Sequence, residues 1–185
     1  MFENDITITG KHATQLKYLN EGVEFFPRYI DVYMAAAIFG AINLKLAKKD
    51  TESNDRARIY ADTVIRESNR LNRIFKTIIL SDETKGWVEE EKLNICFRYR
   101  DKNVEEDNLE VPKEEIELMQ EAKELFDSYV LGGIEELYDF FTNAKVHLTS
   151  DEVINKAYEF AKNQKIVIET KGDQYDDSSL LRQEF

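Results

Sequence analysis

Val32-Tyr-Met-Ala-Ala-Ala-Ile-Phe-Gly-Ala-Ile-Asn-Leu44 runs for thirteen positions without a charged side chain. A bilayer-spanning helix takes about 20 apolar residues, so a run of this length reads as the buried central helix of a soluble protein. Ala36 and Gly40, four apart, offer a flat strip where a second helix can come close; in an alanine-rich helix such residues also serve as simple filler. Pro27 marks the helix's beginning, because a first-turn proline gives up an N–H that has no intrahelical partner. Asp31, between Ile30 and Val32, would be costly if buried. It reads as a first-turn acid favoured by the helix dipole, a satisfied core carboxylate or a functional group.

Helices are expected on both sides of this run. His12, Leu16, Leu19 and Val23 fall on one face of a helix starting near Thr9 or Gly10. Ser53, Asn54 and Asp55 are cap candidates for a helix from about Asp55 to Leu80. There Tyr60, Val64, Leu71, Ile74, Phe75 and Ile78 form a core stripe, Arg66, Arg70 and Arg73 lie opposite, and Asp62 precedes Arg66 by the four residues that suit an ion pair. Residues 81–100 mix helical and alternating patterns and are read as helix. After Pro112, a helix buries Ile116, Met119, Ala122, Phe126 and Tyr129, and Gly132-Gly133 is expected to interrupt it before a further piece carrying Ile134, Leu137, Tyr138 and Phe141. Thr149 to Glu152 has the form of a capping box, with Val153, Ala157 and Phe160 following on one face. Asp5-Ile-Thr-Ile-Thr9 and Lys165-Ile-Val-Ile-Glu-Thr170 alternate like short strands that could pair with each other, add to a partner's sheet edge, or be extended tails. The expected fold is mainly α, a single-domain helical bundle over 1–171, with a short two-stranded β element formed by the chain ends and a polar tail over 172–185.

Composition supports a folded chain. The 185 residues are 42% apolar and 11% aromatic, with seven glycines and two prolines, which is too aromatic for a disordered or linker-rich protein. A chain of this length buries roughly 70% of its unfolded surface. One cysteine, Cys96, excludes an internal disulfide framework and any multi-cysteine zinc site, and it reads as a packed small hydrophobe. His12 and His147 are too few for histidine-rich metal chemistry. No basic segment leads into an apolar stretch at the start, so no secretory signal is expected and the location reads as cytoplasmic. The net charge of -12 is unevenly spread: residues 1–100 carry 16 Lys and Arg against 15 Asp and Glu, whereas residues 101–185 carry 9 against 22. That division excludes a uniformly basic nucleic-acid-binding domain.

Candidate chemistry is sparse. Arg66, Arg70 and Arg73, with Lys76 nearby, are spaced to track phosphates or to receive an acidic partner, although a face opposite the core is also where any soluble helix places its charges. Glu105, Glu106, Asp107, Glu114, Glu117, Glu121 and Glu124 form a candidate acidic interaction surface. Asp101, Asn103, Glu105 and Asp107 have the alternate-residue spacing of a calcium loop, but Glu106 replaces its glycine and Pro112 its final glutamate. No Glu-x-x-His pair and no glycine-rich phosphate loop occurs, and no metal or cofactor is expected. The two histidines cannot be placed against a nucleophile from sequence.

The stretch Phe26-Pro-Arg-Tyr-Ile-Asp-Val-Tyr-Met-Ala-Ala-Ala-Ile-Phe-Gly40, with Leu131-Gly-Gly-Ile-Glu-Glu-Leu137 later, resembles small helical accessory proteins of bacterial anti-phage systems, including those associated with DNA phosphorothioation. Those proteins show a similar phenylalanine, spacer, aspartate and Ala-Ala-x-x-Gly helix early, and a Gly-Ile-x-x-Leu element late. The resemblance implies an accessory subunit beside a separate enzyme and carries over no catalytic residue. The leading expectation is therefore a non-catalytic subunit that binds other proteins or itself, with direct nucleic-acid contact as a lesser role and no membrane contact. The alternatives are an acidic DNA mimic or inhibitor occupying a basic groove, and a carboxylate-based enzyme using Asp31 or Asp62.

Overall fold

The computed structural model describes residues 2–23, 25–98 and 112–142, together with isolated positions between 151 and 162. The chain divides into two compact units, Met1–Asp139 and Phe140–Phe185; the first is described below. The protein is mainly α, with one short two-stranded sheet. In chain order the elements are β1 (Ile6–Thr9), α1 (Lys11–Lys17) continued by a π-helical turn (Tyr18–Gly22), α2 (Tyr29–Ile42), β2 (Arg56–Ile59), α3 (Ala61–Ser81), α4 (Glu89–Leu93) continued by a second π turn (Asn94–Arg98), and α5 (Lys113–Thr142). No helix among the described residues is long and apolar enough to cross a membrane.

The short sheet is built on β1 and on a strand that the sequence placed at the start of a helix. β1 pairs antiparallel with β2, Ile6 opposite Ile59 and Thr9 opposite Arg56, while Lys165–Thr170 lies outside the described residues. Arg56-Ala57-Arg58-Ile59 alternates exposed and buried positions, the period of a strand, so the helix expected from Asp55 begins only at Ala61. Its first turn is capped through space: one Asp5 oxygen accepts the Ala61 N–H at 2.7 Å and the other accepts Arg58 Nε at 2.7 Å. The Arg58 bond, and then the Ala61 N–H, hold the Asp5 carboxyl below its usual range. Ser53 and Asp55 are used nearby instead, Ser53 Oγ accepting the Asp55 N–H and Asp55 binding Thr14, Lys17 and the Arg56 N–H. Tyr60, expected in the core stripe, sits at the strand-to-helix junction and is exposed, whereas Val64, Leu71, Phe75 and Ile78 are buried as expected. Gly10 ends β1 with φ +71° and opens α1, the Asp50 carboxylate accepting the Lys11 N–H at 2.7 Å. A Cβ on Gly10 would stand 2.4 Å from Asp50 Oδ2.

α2 begins at Tyr29 with Arg28 as its cap, so Pro27 stands outside the first turn. Its C-terminus closes by paired bonds, Lys45 N–H to the Gly40 carbonyl and Leu44 N–H to the Ala41 carbonyl. This is the Schellman pattern, with Leu44 in the left-handed region at φ +51°. The reversal lays residues 45–47 along α5, where the Ala47 N–H donates to the Ser128 carbonyl at 3.0 Å.

Gly132-Gly133 does not interrupt α5, which continues through both residues. Closeness of approach explains why glycine stands there. A Cβ on Gly133 would lie 1.9 Å from the Ala36 carbonyl oxygen, one on Gly132 would lie 2.1 Å from the Lys45 oxygen, and one on Gly40 would lie 2.0 Å from the Tyr129 oxygen. The Ala36 and Gly40 strip of α2 is thus the face against which α5 packs, backbone against backbone. Around this seam Phe2, Phe75 and Phe126 stack edge to face with centroids 5.5 to 6.3 Å apart, joining the N-terminal segment, α3 and α5. On intrinsic propensity alone, Gly133→Ala would stabilise α5 by about 1 kcal/mol. The packing predicts the opposite sign, a loss of about 2 kcal/mol or more because the Ala36 carbonyl must be displaced, to be read from the denaturant midpoint at unchanged m.

Candidate functional site

Three polar arrangements inside the first unit hold groups that sequence reasoning did not connect. The first is a cavity of about 600 Å³ between β1, residues 47–49 and α5, a volume within the range of ligand pockets. Ile8, Tyr33, Phe126 and Val130 form its apolar part, and Lys48, Lys49 and Asp127 are among its polar lining. The buried Tyr33 hydroxyl donates to Asp127 Oδ1 at 3.4 Å. Asp127 keeps an exposed face, yet desolvation by the surrounding protein pushes its carboxyl above its usual range, against the Tyr33 bond. Burial, reinforced by Asp127, likewise holds the Tyr33 phenol well above its ordinary value.

The second arrangement centres on His12, which is fully buried. Its Nε2 lies 3.0 Å from Glu135 Oε1, and Lys11 Nζ lies 2.7 Å from the same oxygen. Because a carboxylate can only accept, Nε2 carries the proton of the neutral ring; buried Nδ1 has no hydrogen-bond partner among the described residues. Burial lowers the imidazole's pKa and outweighs the pull of Glu135. For Glu135, burial acts to raise the pKa, but Lys11 and His12 together bring it below the usual value. His12 lines neither the large cavity nor the shallow depression formed by Lys11, Lys48, Asp50, Glu52 and Ser53. Its arrangement is that of a clasp between α1 and α5.

The third is the buried acid. Sequence pointed to Asp31, whereas the structure buries Asp82, which follows the last residue of α3. Asp82 Oδ1 accepts the Thr84 N–H at 2.9 Å and the Lys85 N–H at 3.2 Å, its other oxygen accepts the Tyr129 hydroxyl, and its carbonyl accepts from Lys92. Burial, with the Asp82 bond second, pushes the Tyr129 phenol up to about 12. The legible signal was Asp82-x-Thr84, an Asx-turn spacing; the distant tyrosine left none.

Asp31 is a first-turn acid, bidentate to its cap residue Arg28 at 2.7 and 2.9 Å. Arg28 also pairs with Glu67 at 2.9 Å. Asp62 pairs with Arg66 at 3.0 Å, as the four-residue spacing predicts. Neither Asp31 nor Asp62 is among the residues lining the large cavity.

Arg66, Arg70 and Arg73 share the exposed face of α3, but each is engaged on its own helix: Arg66 with Asp62, Arg70 with Glu67 at 3.3 Å, and Arg73 with the Asn69 carbonyl at 3.2 Å. Lys76 stands over the Phe97 ring, 4.5 Å from its centroid. Cys96 is buried and its thiol is pushed up by that burial, consistent with a packed small hydrophobe. Of the acidic residues, Glu114, Glu117, Glu121 and Glu124 are exposed on α5. At 100° per residue they fall within about 80° of arc and span about 15 Å of helix. Glu105, Glu106 and Asp107, like Asp101 and Asn103 of the calcium-like loop, lie outside the described residues, as do Thr149 of the expected capping box and Val153, Ala157 and Phe160 after it. No group of three or more metal-ligating side chains occurs among the described residues.

Comparison with protein-family models, curated proteins and solved structures finds no match to this chain.

The clasp makes a pH prediction. A histidine whose folded pKa is depressed leaves the unfolded chain binding more protons between that value and the ordinary 6.5. Stability is then full above pH 6.5 and falls as pH drops toward the folded pKa. NMR titration should place the His12 midpoint below 6.5, and unfolding free energy should decline on acidification from pH 7, with that decline reduced in His12→Gln. A His12 midpoint above 6.5 would contradict the assignment.

Proposed function

We propose that this chain is a non-catalytic, protein-binding subunit of a multiprotein assembly. Its docking element is the first half of α5. The observation that carries this reading is the stripe of Glu114, Glu117, Glu121 and Glu124, four exposed carboxylates in register along one helical face. Like charges so placed repel mildly along the helix, and a basic partner surface relieves that repulsion while fixing register and speeding encounter. Several other charged groups lend support because they are engaged internally: Arg28, Asp31 and Glu67 form one network, Asp62 holds Arg66, and Glu135 holds Lys11 and His12. An accessory role in anti-phage defence is what the resemblance to phosphorothioation-associated proteins adds. The same four glutamates also suit an acidic mimic occupying a nucleic-acid-binding groove.

The test is charge reversal. Glu117→Lys, Glu121→Lys and Glu124→Lys together should abolish recovery of the native partner at low salt and leave the unfolding midpoint within a few degrees. Competition of partner binding by duplex DNA would assign the mimic reading, whereas undiminished recovery with the reversed stripe would contradict both. Arg66→Ala, Arg70→Ala and Arg73→Ala should leave the salt dependence of any DNA binding unchanged.

A further inference from the structure

Among the described residues β1 is one edge of a two-strand sheet, and its residues Ile6 to Thr9, with Asp5 before them, line the 600 Å³ cavity. The register shows which of their backbone groups β2 leaves unpaired. Gly10 N–H donates to the Asp55 carbonyl at 2.9 Å, which extends the Ile6–Ile59 register by two further pairs beyond Ile8–Ala57. Hydrogen-bonded pairs alternate along an antiparallel ladder, so Ile6, Ile8 and Gly10 face β2. Thr7 and Thr9 then direct their N–H and C=O groups away from it. Among the described residues none of these four groups has a hydrogen-bond partner. The Thr9 side chain is engaged separately, with the Asp50 carbonyl.

An unpaired edge is a template for another strand. Here it stands in a cavity whose lining also includes Tyr33, Phe126 and Val130 and the two lysines Lys48 and Lys49. Each acid on the same lining has a hydrogen-bond donor of its own, Arg58 and the Ala61 N–H for Asp5, the neutral Gln120 amide for the exposed Glu124 at 2.8 Å, and the Tyr33 hydroxyl for Asp127. We propose that the open edge of β1 and its cavity form a strand-addition site for a short extended segment of a partner protein that alternates apolar and acidic residues. The segment becomes a third strand bonded to Thr7 and Thr9, setting apolar side chains toward Phe126 and Val130 and carboxylates toward Lys48 and Lys49. At about 3.3 Å per residue, the four residues of β1 match four or five residues of the incoming chain. The proposal depends on the protein-binding reading only for the class of partner, since of the glutamate stripe Glu124 alone lines this cavity.

The probe is an acetylated, amidated octapeptide of alternating valine and glutamate, added to the full chain and followed by fluorescence anisotropy and by amide hydrogen exchange. The expected result is saturable binding at micromolar to millimolar peptide, with the Thr7 and Thr9 amides slowed on binding. Thr7→Pro removes one outward N–H and leaves the Ile6, Ile8 and Gly10 bonds in place; it should weaken binding about ten-fold, as expected for one lost hydrogen bond. Lys48→Glu with Lys49→Glu keeps the strand intact and should weaken binding independently. Reversal of Glu114, Glu117 and Glu121, none of which lines the cavity, should leave octapeptide binding unchanged, so that failure here is distinguishable from failure of the stripe. Absence of binding at millimolar peptide, equal binding of the valine–lysine octapeptide, or binding without slowed Thr7 and Thr9 exchange would overturn the proposal. So would slow exchange of both amides before peptide is added, which would show the edge already taken by Lys165–Thr170 or by a second copy.

Discussion

The contact between the backbones of α2 and α5 is the constraint on which the other arrangements depend. Ala36 and Gly40 on one helix, with Gly132 and Gly133 on the other, leave no room for even one additional Cβ at the glycines. Such an approach gives up side-chain burial at those positions and gains dense dispersion contact along two main chains. It also fixes α5 in rotation and in height. Once Gly133 is against Ala36, Tyr129 is at the level of Asp82, Asp127 beside Tyr33, and Glu135 beside His12. Three polar contacts separated by 47 to 123 residues in sequence therefore follow from one apolar seam.

This arrangement sorts the charged residues by use. A buried carboxylate is stable when its lone pairs are filled, and Asp82 meets that condition with two backbone N–H groups, the Thr84 hydroxyl and the Tyr129 hydroxyl. Arginines on α3 are held by acids or carbonyls of the same helix, so they serve a solvated, locally compensated face. The four α5 glutamates are aligned and exposed, and the β1 edge carries directed hydrogen-bonding groups beside lysines. Those two surfaces offer a partner what the interior does not already use.

Much of the fold was legible because helical periodicity is local. The charge-free run from Val32 gave α2, the stripe through Leu71 and Phe75 gave most of α3, and the Asp62 to Arg66 spacing gave an ion pair found at 3.0 Å. β2 was hidden because Arg56-Ala-Arg-Ile59 is too short to outweigh the helical pattern that follows, and its pairing with β1 is a long-range event. The Asp5 cap on Ala61 is invisible for the same reason, whereas Ser53 to Asp55 offered a plausible local alternative. Gly132-Gly133 was misjudged from propensity, since isolated helices are weakened by glycine while packed helices can require it. Of the candidate site, the individual acids and arginines could be named from sequence. Their partners could not, since nothing local marks Glu135 as the companion of His12, or Asp127 as that of Tyr33.

Native-state hydrogen exchange tests the primacy of the seam most directly, because amides in the last structure to open exchange only through global unfolding. The account predicts that buried amides of α2 between Tyr33 and Ile42, and of α5 between Ala122 and Leu137, share the slowest exchange, at the free energy obtained from denaturant unfolding. Exchange of either helix through a smaller opening, while α3 stays protected to the global limit, would contradict it.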